Sequence, residues 1–294
     1  MTIPPTRDAS SVDTPAVARY VPPVPADSRL QRRAGIEVLT WPVFDDHPVD
    51  VIVTTRHGGV SEGPYATLNL GLHVGDDPAS VQENRRRAAA AVGAGLDDLV
   101  FCEQVHGCRV ATVTGVDRGR GARSCADAIE GTDAVVTTEP GVGLVMMAAD
   151  CTPIVLYDPA AGVLGCVHSG WRGTTTRVVD AALEAMVTLG AQPGRTIAAV
   201  GPAVAAEGYQ VGPEVADAAM AAFGDVDGLV APDGTGRFTF DLWAANLRIL
   251  AEAGVAPGRT HRSALATGGP QFYSDRAVRP CGRVAAVARL RPPA

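Results

Sequence analysis

The sequence predicts a mixed α/β domain of layered sheets and helices, and three observations carry that expectation. Short runs rich in β-branched and apolar residues, bounded by turn residues, recur from Ile36 onward. Helical segments interrupt them without the regular strand–helix–strand alternation of a Rossmann fold. At 294 residues, 46% hydrophobic and 19% charged, the chain can bury a sizeable core as one large domain or two small ones.

Residues 1 to about 30 are rich in Pro, Ser, Asp and Thr and poor in large apolar side chains, which predicts a mobile tail. Strands are then expected at Ile36–Leu39, Val51–Thr55, Val100–Gln104, Val110–Val113, Ala134–Thr137 and Leu144–Ala148. They continue at Ile154–Tyr157, Val163–Val167, Thr196–Val200, Phe238–Asp241 and Val284–Arg289. Asp77 is placed to cap a helix that opens on Pro78 and runs to about Val92. A second helix is expected over Thr175–Leu189. Its Val178, Val179, Ala182, Leu183, Met186 and Val187 form an apolar stripe at helical spacing, and Gly190 stops it. Pro213–Phe223 is a third helix, and Asp241 caps a fourth that ends near Gly254. No internal repeat is visible.

Composition excludes several functions. A net charge of −7 argues against nucleic acid or an anionic membrane as a partner. No apolar run approaches the roughly 20 residues that span a bilayer. No basic stretch followed by an apolar core opens the chain, so a cytoplasmic location is expected. All 25 basic residues are arginine. Without lysine there is no Schiff base and no P-loop lysine, and any phosphate must be met by arginine, backbone amides or a metal. Cys102, Cys108, Cys125, Cys151, Cys166 and Cys281 form no Cys-x-x-Cys pair, which suggests reduced thiols and no disulfide framework.

The most informative chemistry lies in Ala149–Asp150–Cys151–Thr152–Pro153 and His168–Ser169–Gly170–Trp171–Arg172–Gly173. A turn at 159–162 would fold the strands between them into a hairpin, bringing Cys151 and His168 to the same end. Gln104–Val105–His106–Gly107 offers another imidazole just past a strand. Two His and one Cys can hold zinc and leave its fourth position open, as catalytic zinc sites do. Cys166 lies two residues before His168 and so on the same strand face. It is either a fourth ligand, which would close the site, or a core residue; core packing is the expectation.

Further segments extend the pattern: Thr54–Thr55–Arg56–His57–Gly58–Gly59–Val60–Ser61, Leu68–Asn69–Leu70–Gly71, Val74–Gly75–Asp76–Asp77, Asn84–Arg85 and Asp133–Ala134–Val135–Val136–Thr137. Gly201–Pro202, Tyr209–Gln210–Val211–Gly212, Asp241–Leu242 and Phe272–Tyr273–Ser274 complete it. Jointly these segments, over roughly residues 36–290, resemble the multicopper polyphenol oxidase or laccase-domain family, whose members are regarded as purine nucleoside phosphorylases. The resemblance implies a zinc ion bound by His106, Cys151 and His168. It implies a single catalytic domain over residues 31–294, with a three-layer α/β/α-type mixed-sheet fold shared with cysteine-hydrolase-like toxins. It also implies phosphorolysis of adenosine, inosine and methylthioadenosine, and deamination of adenosine.

That chemistry suits the residues. Open zinc activates water, and Arg56 offers a planar fork to phosphate, unless it is a surface salt bridge. Asn69 is a candidate for ribose contact or a turn-forming residue. His57 is a candidate proton donor or a solvated loop histidine. Asp133 and Asp150 are candidate acceptors for the ligand imidazoles. Arg172 is expected to hold the turn after His168. The chain departs from the family pattern at Ala203–Val204–Ala205–Ala206–Glu207, where a cysteine pair is usual. It departs also at Ala266, and at Asp275–Arg276–Ala277, where the family is more basic.

Three rival functions stand beside this one. A multicopper oxidase needs clustered His-x-His motifs, and this chain has six His and none of that spacing. A Cys–His hydrolase would use Cys151 as nucleophile and His168 or His106 as base, for instance as an amidase. A non-catalytic zinc-binding partner protein needs only the ligands.

Overall fold

The computed structural model describes residues 24–293. Most of the expected mobile tail, residues 1–23, lies outside the described residues. The boundary of that tail is corrected: Arg29 and Leu30 belong to β1 (Arg29–Arg33), which pairs antiparallel with β2 (Ile36–Thr40). Ala34 and Gly35 join them with φ of 46° and 85°, the paired positive values that a tight hairpin turn needs.

The chain continues through β3 (Val49–Thr54), α1 (Pro78–Ala90), β4 (Leu99–Val100), β5 (Val110–Thr112), β6 (Ala134–Thr137) and β7 (Gly143–Ala148). Next come β8 (Thr152–Asp158), β9 (Val163–Ser169), α2 (Trp171–Thr175), α3 (Val178–Thr188), β10 (Ile197–Val200) and β11 (Gln210–Val211). The last elements are α4 (Pro213–Phe223), β12 (Val230–Pro232), β13 (Phe238–Phe240), α5 (Leu242–Glu252), β14 (Thr260–Arg262) and β15 (Val284–Leu290).

The mixed α/β class is as the sequence predicts, and the sheet level is double. One six-stranded sheet runs β1-β2-β3-β15-β7-β4 and a second runs β14-β10-β8-β9-β6-β5; β11-β13-β12 form a small third. Period-2 alternation explains the doubling, because the central strands are apolar on both faces. Val53, Leu144, Met146 and Ala286 of the first sheet pack with Val135, Val155, Leu164 and Ala199 of the second. The opposite face of the first sheet, with Val38, Ile52, Val145 and Val287, packs with Ala88 and Ala89 of α1. The opposite face of the second, with Val136, Ile154, Leu156 and Val167, packs with Val179, Leu183 and Met186 of α3 and Ile249 of α5. The layers therefore run helix, sheet, sheet, helix.

Local chemistry sets the boundaries. The Asp77 carboxylate accepts the Ser80 amide at 2.9 Å and starts α1, and Asp241 accepts that of Ala244 at 2.9 Å and starts α5. The helix expected over Thr175–Leu189 is corrected at its start: it runs as α3 from Val178 to Thr188, and Thr175 ends the separate short α2, because Arg177 between them adopts φ 63°. Its guanidinium is held there by Asp180 and, at 2.8 Å, by Glu252. β8 and β9 form the expected hairpin, with Asp158 opposite Val163 and Thr152 opposite Ser169. Its turn closes on Gly162, at φ 64°, and on the Asp158 carboxylate, which accepts the amides of Ala160 and Ala161. Among the described residues no helix is long and apolar enough to cross a membrane.

Candidate metal centre

The sheets place the site. The links β4→β5 and β7→β8 both carry the chain from the first sheet to the second, and β4 and β7 are parallel neighbours, so both links leave the same end. His106 lies on one link and Cys151 on the other. β9 finishes at that end, with His168 opposite Pro153. One N or S atom from each of His106, Cys151 and His168 then falls within 4.8 Å of the others. The two imidazole rings stand edge to face, 4.8 Å between centroids. His168 is buried, Cys151 half-buried and His106 exposed, so the cluster is rooted in the sheet and open on one side.

The strand expected to extend to Gln104 is corrected: β4 ends at Val100 and only Cys102 makes a further bridge, to Ile129. The Gln104 side chain replaces the missing backbone pairing. Its Nε2 donates to the Met147 carbonyl at 2.8 Å, and its Oε1 accepts the Met147 amide at 2.9 Å. This frees the chain to turn at His106, whose φ is 61°. A left-handed non-glycine residue persists only when its surroundings hold it, and Asp133 does so. One Asp133 oxygen accepts the His106 amide at 3.0 Å, and the other accepts those of Val105 at 3.1 Å and Gly107 at 2.7 Å.

The same carboxylate is 2.8 Å from His168 Nδ1. An ionised carboxylate can only accept, so Nδ1–H donates and Nε2 is left for the cluster. Burial opposes ionisation of Asp133, but the bonds from His168 and Gly107 hold its carboxyl below the usual range. At Cys151, burial pushes the thiol up, and the His168 and His106 imidazoles more than reverse this. Burial alone would lower His168, and the Cys151 thiolate and Asp133 raise it. The arrangement thus favours thiolate and imidazolium in the metal-free protein. Cys166 is a core residue, fully buried between the sheets, with its thiol pushed well up by burial. Cys102 behaves likewise, raised to about 12 by burial.

Glycine keeps the space open. A Cβ on Gly170 would sit 2.6 Å from Cys151 Sγ and 3.1 Å from His106 Cδ2. The turn beyond His168 is held by a buried network in which Ser169 Oγ lies 2.9 Å from Thr174 Oγ1 and donates to Asn246 Oδ1 at 2.7 Å. The holding role expected of Arg172 falls to that network; the Arg172 guanidinium is exposed over the Trp171 ring at 4.3 Å.

Other expectations are corrected. Asp150 orients no imidazole: it accepts Thr267 Oγ1–H at 2.6 Å and the Arg276 amide at 2.7 Å, tying two distant loops to the residue before Cys151. Asn69 is unavailable to ribose because it is fully buried and its carboxamide is used up. Its oxygen accepts the amides of Gly71 and Arg283, and its nitrogen donates to Gly71 and Asp76. Arg56 is half-buried and forms no salt bridge among the described residues. Its Nε and Nη2 donate to the Ala66 carbonyl at 3.0 and 2.9 Å, and its guanidinium lies over the Tyr273 ring at 4.7 Å. Its fork is therefore engaged, leaving Nη1. His57 is exposed, with Nε2 2.7 Å from the Pro270 carbonyl. Sequence reasoning missed Gly170 as a site residue, although it lies in a segment that carries the family resemblance.

Comparison with known proteins agrees with this architecture. The sequence profile of the family described as multi-copper polyphenol oxidoreductase laccase matches residues 50–291. A purine nucleoside phosphorylase of Deinococcus radiodurans is 44% identical over 223 residues, which is 76% of this chain and 81% of that one. The purine nucleoside phosphorylase YlmD of Geobacillus stearothermophilus is 39% identical over 76% of this chain and 83% of its own. The crystal structure of that organism's YlmD superposes with a TM-score of 0.83 at 36% identity, covering 90% of this chain and all of the other. The Bacillus licheniformis hypothetical protein YfiH superposes with a TM-score of 0.84 at 30% identity, covering 89% and 99% of the two chains.

Proposed function

This chain belongs to the multi-copper polyphenol oxidoreductase laccase family, and from that premise we propose that it is a zinc-dependent purine nucleoside phosphorylase. Its substrates are adenosine, inosine and methylthioadenosine, with adenosine deamination at the same centre, in the cytoplasm. The carrying observation is the convergence of His106, Cys151 and His168 within 4.8 Å. The names of the relatives support the reaction class.

Two imidazoles and a thiolate suit zinc and fall one short of the four ligands of a closed structural site. Zinc bound there supplies a Lewis acid at the open position. The remaining work belongs to the protein. Asp133 fixes the tautomer of His168 and the loop of His106. Gly170 leaves room beside Cys151. Arg56 offers its remaining Nη1 to phosphate, in a chain with no lysine to do so.

One observation favours a second reading. Cys151, His168 and Asp133 stand in the order of a nucleophile, a base and its orienting carboxylate, and the thiol is lowered. Metal dependence separates the two. The phosphorylase loses base release from inosine on chelation and regains it with zinc; a Cys–His hydrolase keeps its activity under chelation and loses it on alkylation. Zinc binding with neither activity would leave a non-catalytic zinc-binding role.

A further inference from the structure

Cys151 is presented by a backbone that has to be held. Between β7, which ends at Ala148, and β8, which starts at Thr152, residues 149–151 carry the chain from one sheet to the other, a step of about 10 Å. The link turns at Asp150, whose φ is 91°. Positive φ is costly for a residue with a Cβ, and Asp and Asn accept it more readily than most. Among the described residues only Ala34, His106, Asp150 and Arg177 adopt it without being glycine. Ala34 makes the β1–β2 turn and Arg177 separates α2 from α3. The other two deliver the two cluster residues that come from links between the sheets. Asp133 holds the backbone of His106; Asp150 is held through its own side chain and carbonyl.

Asp150 is buried. One of its carboxylate oxygens accepts Thr267 Oγ1–H at 2.6 Å, and the other accepts the Arg276 amide at 2.7 Å. Its carbonyl accepts the Val204 amide at 3.0 Å, and the Ala203 carbonyl accepts the Thr267 amide at 2.9 Å. These bonds close a ring through residues 150, 203–204 and 267, with residue 276 joined at the same carboxylate. Segments far apart in sequence therefore fix the one peptide that precedes Cys151. The orientation of that peptide sets the direction of the Cys151 Cα–Cβ bond, and with it the place of Sγ.

We propose that Asp150 is a positioning residue that aims Cys151 Sγ at His106 and His168, and that Thr267 is its distal partner. This deepens the reading above and rests on its metal centre, not on phosphorolysis. Both partners of Asp150 are neutral donors, so geometry carries the effect. Asparagine at 150 preserves it: Oδ1 accepts the Arg276 amide, and Nδ2–H donates to Thr267 Oγ1, which accepts as well as donates.

The test is titration of the metal-free full chain with Co2+, following affinity and the thiolate-to-cobalt absorption band at saturation. It is run on the wild type, Asp150→Ala, Asp150→Gly, Asp150→Asn and Thr267→Val, with circular dichroism verifying each fold. The band reads the placement of Sγ on the metal, which a mere loss of stability does not move. Asp150→Ala weakens cobalt binding about 10–100-fold, the usual cost of losing a partner that orients a ligand. Asp150→Gly relaxes the backbone but loses both side-chain bonds, and Thr267→Val removes one; each weakens binding about tenfold or more and alters the band. Asp150→Asn stays close to the wild type. Should Asp150→Ala fail to fold, Asp150→Gly and Thr267→Val carry the same test. Wild-type affinity and band in Thr267→Val and in the folded Asp150 variants overturn the proposal, as does weaker binding with an unchanged band. A wild-type Asp150→Gly alone shows that the turn suffices and overturns the role of the side chain. An Asp150→Asn as weak as Asp150→Ala makes charge responsible and overturns the geometric role. A wild type that binds no cobalt overturns the metal centre and this proposal with it. Cobalt binding that depends on Asp150 and Thr267, in a protein that releases no base from inosine, supports the positioning role and sinks the phosphorolysis reading alone.

Discussion

Asp133 and His168 are joined by a 2.8 Å hydrogen bond whose carboxylate also accepts three successive backbone amides, those of Val105, His106 and Gly107. One side chain therefore fixes both the ring of one imidazole ligand and the backbone of the other. Each carboxylate oxygen accepts two of these donors, so Asp133→Asn turns an NH2 group toward two donors whichever way the amide lies. Its zinc affinity is expected to fall about 10–100-fold, the usual cost of losing an orienting partner. Competition against a chromogenic chelator measures it, and wild-type affinity in the variant would show that the ligands orient themselves.

Gly170→Ala is expected to abolish metal binding while leaving the fold. The added carbon would lie 2.6 Å from Cys151 Sγ, and Gly170 has an ordinary extended backbone (φ −84°, ψ 179°), so the effect is steric. Metal content by atomic emission and the far-ultraviolet dichroism of the variant check both halves.

The lowered thiol gives a pH signature in the metal-free protein. The thiolate of Cys151 persists below the usual cysteine range, because its interactions with His168 and His106 outweigh the cost of burial. Iodoacetamide should thus modify Cys151 at neutral pH, with a midpoint below that of an ordinary thiol, while Cys102 and Cys166 stay unmodified. Peptide mapping across pH reads this directly; a Cys151 midpoint at or above the ordinary value contradicts it.

Asp158 supplies the acid-side test of the β8–β9 hairpin. Burial raises its carboxyl, but Arg195 and the amides of Gln192, Ala161 and Ala160 together hold it below the usual range. A depressed folded value contributes stability above the unfolded value, near 3.8, and that stability is lost as pH falls through the folded one. Asp158→Asn should therefore destabilise the protein at pH 7 by about 1–3 kcal/mol. The gap to wild type should close in strong acid. Denaturant titrations at the two pH values test this, and a gap independent of pH rules the mechanism out.

What the sequence could show followed the range of the interactions. Cys151 and His168 were legible because one short hairpin, turned at Gly162, brings them to the same end. The caps Asp77 and Asp241 were legible for the same reason. The division into two sheets was not, because strands such as β7 and β8 are apolar on both faces and give one continuous signal whichever layer covers them. The early end of β4 was hidden because the side chain of Gln104 performs backbone pairing. Asn69 read as a ribose contact or, more readily, as a turn residue; its four hydrogen bonds decide for the turn. Tyr209 and Arg276 come from loops far from Cys151 in sequence, joined to it through Asp150, a link that no local pattern encodes.

The most direct measurement is release of free base from inosine and adenosine in phosphate buffer, by chromatography, for the wild type and Cys151→Ala. Phosphate-dependent release by the wild type that vanishes in the variant is expected from a centre built on His106, Cys151 and His168. Release that survives in Cys151→Ala, or none from a zinc-loaded wild type, contradicts it.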